Sequence, residues 1–304
     1  MGNWSSKPDV KTQELETPWR TVTWGKAKKD SLIEDMRKIQ PCTKNLKCLR
    51  MIVVGPAGSG KSSFINSVNN AFQGRITSNA LSDAIESGKS FTKKYCEFEI
   101  KTGNLKLSTF FNDMMGLEIE SNKGCHPEDI FKAINGFMKN GHMFNPEKPI
   151  SPEDPDYNKN PDLSDETYGM VYVLAAERIK LAEDAILKLR NIREKVSMTW
   201  GLPQIIVITN VDQACPLVQK NVQKIYLSKK IREKMEWCSG SLGVPMCHVF
   251  PVKNYHEEIE TNDDMDVLIL QAFKQIMELA NDHLEIRIKN KDNQNVKEKQ
   301  PKSK

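Results

Sequence analysis

The residues with the plainest chemical purpose are Gly55-Pro56-Ala57-Gly58-Ser59-Gly60-Lys61-Ser62, which carry the spacing G-x-x-x-x-G-K-S. The apolar run CLRMIVVG leads into them and the amphipathic KSSFINSVNNAF continues from them, so the glycines fall at a strand-to-helix turn. Glycine backbones there can turn successive N–H groups into one concavity, and the helix start adds its positive dipole end. Such a cradle suits a polyphosphate. Gly55, Gly58, Ser59, Gly60, Lys61, Ser62 and Ser63 form the expected holding set. Lys61 would neutralise the outer phosphates and the Ser62 hydroxyl would coordinate Mg²⁺.

Two later elements bear on the choice of nucleotide. Asp113-Met114-Met115-Gly116 closes the run LKLSTFFND in the manner of the D-x-x-G element of GTPases. Asp113 is then expected to hold Mg²⁺ and the Gly116 amide to meet the γ-phosphate. Thr209-Asn210-Val211-Asp212 ends QIIVIT, where GTPases carry N/T-K-x-D. The Asp212 carboxylate can accept from guanine N1–H and from the 2-amino group, a donor pair that adenine lacks, so GTP or GDP is expected as ligand. Asn210 replaces a lysine whose stem covers the base. Lys253, in Val252-Lys253-Asn254 after HVFP, is the expected substitute cover. The Mg²⁺-sensing threonine is assigned to Thr92, with Thr77 and Ser90 as alternatives. No catalytic residue is assigned. Leu117 stands where many small GTPases place a water-orienting glutamine, and Glu118 follows it, so slow intrinsic hydrolysis is expected.

The elements that must position these residues alternate in type. Short apolar runs separated by helical patterns predict an α/β fold, a three-layer P-loop NTPase (GTPase-like) domain with a mostly parallel sheet and one antiparallel strand. The antiparallel strand comes from EFEIK and LKLSTFFND, joined through Thr102-Gly103-Asn104 as a hairpin. HPEDIFKAINGFMKN reads as a helix. Residues 142–166, with Pro146, Pro149, Pro152, Pro155 and Pro161, read as a long loop that forms no core. Ile179, Ala182, Ile186, Leu189, Ile192 and Val196 mark one apolar helix face, another helical stretch is expected near 219–237, and a closing helix at about 264–286. The division is an N-terminal arm at 1–45, the domain at 46–288, and a disordered Lys-rich tail at 289–304. The arm carries Trp4, Trp19 and Trp24 and a weak helical pattern in DSLIEDMRKI, and is expected to pack on the domain.

Composition narrows the partners. A formal charge of +4, from 44 Lys+Arg against 40 Asp+Glu, provides no basic stripe, so no nucleic acid is expected. Seven dispersed cysteines without a C-x-x-C pair predict neither disulfide framework nor zinc site, and a cytosolic setting. With no signal peptide and no run of the ~20 apolar residues needed for a span, the protein is expected to be soluble or peripherally attached. Met1-Gly2-Asn3-Trp4-Ser5-Ser6 fits the myristoylation pattern, with Gly2 as acceptor. One acyl chain binds membranes only marginally, and Lys7, Lys11 and the Lys-rich tail could add a second, electrostatic signal.

Thr17-Pro18-Trp19-Arg20 with Trp24, then GPAGSGKSSFINSV, DMMGLE, PQIIVITNVD and FPVKNYHEE, resemble the GTPase region of the interferon-induced protein 44 family, its 44-like members included. The similarity runs from about Pro18 to Leu284. It implies a cytoplasmic, interferon-responsive protein with antiviral or antiproliferative associations and GTP binding proposed from its phosphate loop; an unidentified protein partner is expected besides. Longer relatives carry a further N-terminal domain, and what resides there is not carried over. Three functional classes follow: a GTP-hydrolysing switch, a nucleotide-stabilised scaffold without significant hydrolysis, and an ATP-using P-loop enzyme, which Asp212 disfavours.

Overall fold

The computed structural model describes residues 14–44, 46–77, 93–102, 105–117, 124–179 and 183–299. Three short runs without charge alternation, Leu49–Val54 (β1), Thr167–Ala175 (β4) and Gln204–Thr209 (β5), are buried almost throughout. Strands covered by helices on both faces must be apolar on both. With Cys96–Thr102 (β2), Leu105–Asp113 (β3) and Val249–Pro251 (β6) they form one six-stranded sheet among the described residues, in the order β2-β3-β1-β4-β5-β6. Only β2 is antiparallel, paired with β3 as the hairpin pattern predicts.

Alternate residues of each strand feed two separate cores. Ile52, Tyr172 and Ile206 point to one face, covered by Pro127–Ile134 (α3), Glu183–Trp200 (α4) and Lys229–Leu242 (α7). Met51, Val171 and Val207 point to the other, covered by Lys26–Lys38 (α1), Lys61–Gln73 (α2) and Asp263–Lys299 (α8). Two short helices, Val211–Ala214 (α5) and Pro216–Lys220 (α6), follow β5. The expected three-layer α/β domain is thus the fold. Val53 pairs with Asp113 and Ala175 with Thr209, so β1, β3, β4 and β5 deliver their carboxyl ends to one edge of the sheet. In open α/β sheets that edge is where ligands bind.

The arm reaches this body through Arg20. Its guanidinium donates to the carbonyls of Val249 and Met246, both at 2.9 Å, and lies over the rings of Trp19, Tyr226 and Phe250. That clamp gives the Pro18-Trp19-Arg20 motif a physical role.

Several expectations about local structure are corrected. The helix expected through Asn140 stops at Ile134, because Gly136 adopts φ +76° and any Cβ there would stand 2.7 Å from Asp165. Residues 142–166 are not a coreless loop: Phe144 and Ile150 are buried, and the Ile150 N–H donates to the interior carboxylate of Asp129 at 2.8 Å. The stretch near 219–237 is divided into α6, a 3₁₀ turn at Val222–Leu227 and α7, with Ser228 capping α7 through the Ile231 N–H. The last helix runs past the expected 264–286, through Lys299, in a sequence without glycine or proline to stop it before Pro301. The stretch from 289 expected to be disordered is therefore helical as far as Lys299. Ala182 lies outside the described residues, and among those described no helix is long and apolar enough to cross a membrane.

Candidate nucleotide-binding site

Between β1 and α2 the chain turns through Gly58 at φ +69° and Gly60 at φ +87°, left-handed conformations that glycine alone adopts without strain. Gly55 and Gly116 are needed for a different reason, closeness. A Cβ on Gly55 would stand 2.2 Å from the Val173 carbonyl oxygen, and one on Gly116 2.7 Å from the Ala57 nitrogen. The D-x-x-G segment therefore lies directly against the phosphate loop. Lys61 folds back over that loop, donating to the carbonyls of Pro56 at 3.1 Å and Gly55 at 3.3 Å.

Ser62 and Asp113 meet beneath it. The Ser62 hydroxyl donates to Asp113 Oδ2 at 2.5 Å, while Asp113 Oδ1, also buried, has no hydrogen-bond partner. Burial pushes the Asp113 carboxyl above its ordinary range, although Lys61 and the Ser62 hydroxyl both favour its charged form. A buried carboxylate oxygen without a partner is costly unless something completes it. The set fits Mg²⁺, a hard cation that takes one or two protein oxygens and draws the rest of its shell from water and phosphate. Among the described residues no cluster of three or more His, Cys, Asp or Glu could hold a metal unaided.

A polar cleft of roughly 480 Å³ opens beside the loop, with Gly58, Gly60, Asn210, Asp212, Lys253 and Asn254 on its walls, and Ser63 also borders it. Thr209 ties the end of β5 to the loop, its hydroxyl donating to the Ser59 carbonyl at 2.7 Å. Asn210 sits at φ +53°, a conformation asparagine tolerates, and donates Nδ2 to Glu177 Oε1 at 2.9 Å. Asp212 lies in the first turn of α5, half-buried on the cleft wall. Lys253 Nζ is 3.0 Å from Glu258, so its charge is already engaged. Asn254 Nδ2 donates to the Gly60 carbonyl at 3.2 Å.

The structure thus brings the phosphate-loop set, Asp113, Gly116, Asn210, Asp212 and Lys253 to one edge. Thr77 is not there. It is bonded to Asn69 and Asn70, eight and nine residues along α2 from Lys61 and so about 12–14 Å of helix from the loop. Thr92, Ser90, Glu118 and Gly2 lie outside the described residues. Leu117 is buried, and its N–H donates to the Gly55 carbonyl at 3.0 Å. Glu177, Arg178 and the Asn254 contact escape a motif search. The signal that could have found them is their place, two or three residues past a strand that ends at the site.

No family model matches the chain. Interferon-induced protein 44-like from Homo sapiens is 30% identical over 260 residues, covering 84% of this chain and 57% of that protein. Interferon-induced protein 44 from Homo sapiens is 31% identical over 84% of this chain and 57% of its own, and that of Mus musculus 28% over 84% and 60%. The chain is homologous to these proteins along most of its length, as the motif resemblance implies, and spans 57% of the length of the two human relatives. Among solved structures, Toc33 from Arabidopsis thaliana in complex with GDP and Mg²⁺ covers 84% of this chain and 93% of its own, at TM-score 0.44 and 14% identity. A probable GTP-binding protein engB covers 75% and 99%, at TM-score 0.37 and 17% identity. Overlaps of that extent leave the ligand to be argued from the residues themselves.

Proposed function

We propose that this homologue of interferon-induced protein 44 binds GTP and GDP with Mg²⁺ and serves the interferon-induced, antiviral response as a nucleotide-dependent protein with slow intrinsic hydrolysis. The observation that carries the nucleotide reading is the pairing of Ser62 with Asp113 under the phosphate loop, one buried carboxylate oxygen left without a partner. Asp212 on the wall of the adjoining cleft supports guanine over adenine. The immune role rests on the homology alone.

Slow hydrolysis follows from Leu117. An apolar side chain held in the core cannot orient water, and the backbone at this position is already paired to the loop. The same observation favours a second reading, a nucleotide-stabilised scaffold that hardly turns over. Cytoplasmic residence, weak membrane attachment through a myristoylated Gly2 and an unidentified protein partner belong to the proposal.

The experiment is a thermal-shift series on purified protein with GTP, GDP and ATP, each with and without Mg²⁺, followed by phosphate release. Stabilisation by GTP and GDP in a Mg²⁺-dependent way, with slow release, is expected. Stabilisation by ATP alone would overturn the guanine assignment, and rapid turnover without a partner the kinetic one. Release too slow to measure would select the scaffold.

A further inference from the structure

The lysine absent at position 210 leaves a gap in the site that two other residues fill. Asn210 does not reach over the cleft; its amide is committed to Glu177 Oε1 at 2.9 Å. The same Glu177 oxygen stands 3.7 Å from Arg178 Nε, so one carboxylate organises the asparagine and the arginine together. Arg178 Nη1 lies 3.2 Å from the point where a Cβ on Gly58 would stand, which puts the guanidinium over the loop. Its side chain is 65% exposed and lines the polar cleft with Asp212. Lys253, the substitute suggested by sequence for its aliphatic stem, lines the same cleft but has its ammonium against Glu258 and so brings no free charge to it.

The geometry points to Arg178 as the cation that covers the nucleotide, supplying the positive charge and planar surface that the atypical Asn210 cannot. This rests on the guanine-nucleotide reading above and names a further residue of that site. A guanidinium suits the task because it is always charged and stacks on aromatic faces, whereas an ammonium acts as a point charge. Position decides which end of the ligand it serves. Arg178 lines the polar cleft with Asp212 and also a second, more apolar opening with Pro56, Ala57, Gly58 and Ser59; neither contains Lys61, Ser62 or Asp113, so Arg178 belongs to the base and sugar end. A cation there strengthens GDP and GTP binding alike and has no part in cleaving the γ-phosphate.

The test is equilibrium binding of fluorescent GDP and a non-hydrolysable GTP analogue to the full chain, as wild type, Arg178→Ala and Arg178→Lys, with single-turnover hydrolysis of GTP alongside. Arg178→Ala is expected to weaken both ligands about tenfold and equally, as for removal of a partly desolvated cation from a ring face. Arg178→Lys should recover part of the loss, and the turnover rate of bound GTP should not change. Affinities within twofold of wild type for Arg178→Ala, or slowed turnover at unchanged affinity, overturn the assignment. Failure of the wild type itself to bind guanine nucleotide overturns the function proposed above, and this inference with it.

Discussion

Asp113 accepts the Ser62 hydroxyl through one carboxylate oxygen at 2.5 Å and keeps the other buried without a partner. Its burial raises the carboxyl above the ordinary range, and the sign of the consequence is fixed. A carboxyl raised in the folded state contributes stability below its ordinary value of 3.8, lost as pH rises through the folded value. At neutral pH the buried carboxyl therefore weighs against the nucleotide-free fold. Asp113→Asn is expected to raise the melting temperature of the free protein by about 2–4 °C, the shift for ~1 kcal/mol in a chain of this size. The same variant should lose the Mg²⁺-dependent part of the shift with GTP. A variant that melts lower and still responds to Mg²⁺ would refute both statements.

Asp212 lines the cleft from the first turn of α5, as an acceptor pair for guanine requires. Xanthine carries an oxygen where guanine carries its 2-amino group. Asp212→Asn replaces one acceptor by a donor, so GDP binding should fall by at least about tenfold while XDP binding improves, each mismatch leaving a polar group unpaired at ~1–3 kcal/mol. Competition binding with both diphosphates measures this. Equal loss for GDP and XDP would mean that Asp212 supports the fold and does not read the base.

What was legible in the sequence was whatever depended on short, fixed spacing. The loop from Gly55 to Ser62 and the elements at Asp113 and Asp212 each lie within eight residues of their own chain, and each follows a short run that reads as a strand. Asn254 was not legible in its actual role, since its partner is the Gly60 carbonyl 194 residues away. Glu177 and Arg178 gain theirs from the sheet register, which brings the end of β4 beside Asn210. Residues 142–166 misled for another reason. Five prolines look like solvent-exposed chain, yet Phe144 and Ile150 turn inward and a buried Asp129 serves the backbone of the loop.

Leu117 tests the argument about hydrolysis. Its backbone bridges to Pro56 and donates to Gly55, and its side chain is buried. Leu117→Gln would introduce the water-orienting side chain of many small GTPases, but at a position whose side chain faces the core. The expected outcome is destabilisation of about 1–3 kcal/mol, from burying an unpaired amide, with no more than about a twofold change in single-turnover rate. Chemical denaturation and phosphate release on one preparation give both values. A large acceleration would show that the side chain can turn outward in the nucleotide complex, and the core position of Leu117 would no longer explain slow turnover.

The arm is joined to the same cleft through Lys29. Its ammonium lies 2.6 Å from Asp266 and 3.1 Å from Asp263, at the start of α8. Tyr255 donates its hydroxyl to Asp266 at 2.7 Å and its backbone N–H to Ser67 on α2, next to the Asn254 that touches Gly60. Burial alone would lower the Lys29 ammonium, but the two carboxylates outweigh it and hold the group above 10.5. A lysine raised in the folded state contributes stability that is complete below 10.5 and lost as pH rises through the folded value. Lys29→Met leaves the fully buried Asp266 without its cation, which for a buried pair costs about 3–5 kcal/mol at pH 7. Asp266→Asn in the same chain should recover part of that. Urea unfolding of wild type and Lys29→Met at neutral and strongly alkaline pH should then give a gap that narrows once Lys29 itself deprotonates. A gap that stays constant through that range would mean the lysine acts by packing its stem, and the ion pair would lose its place in holding the arm to the cleft.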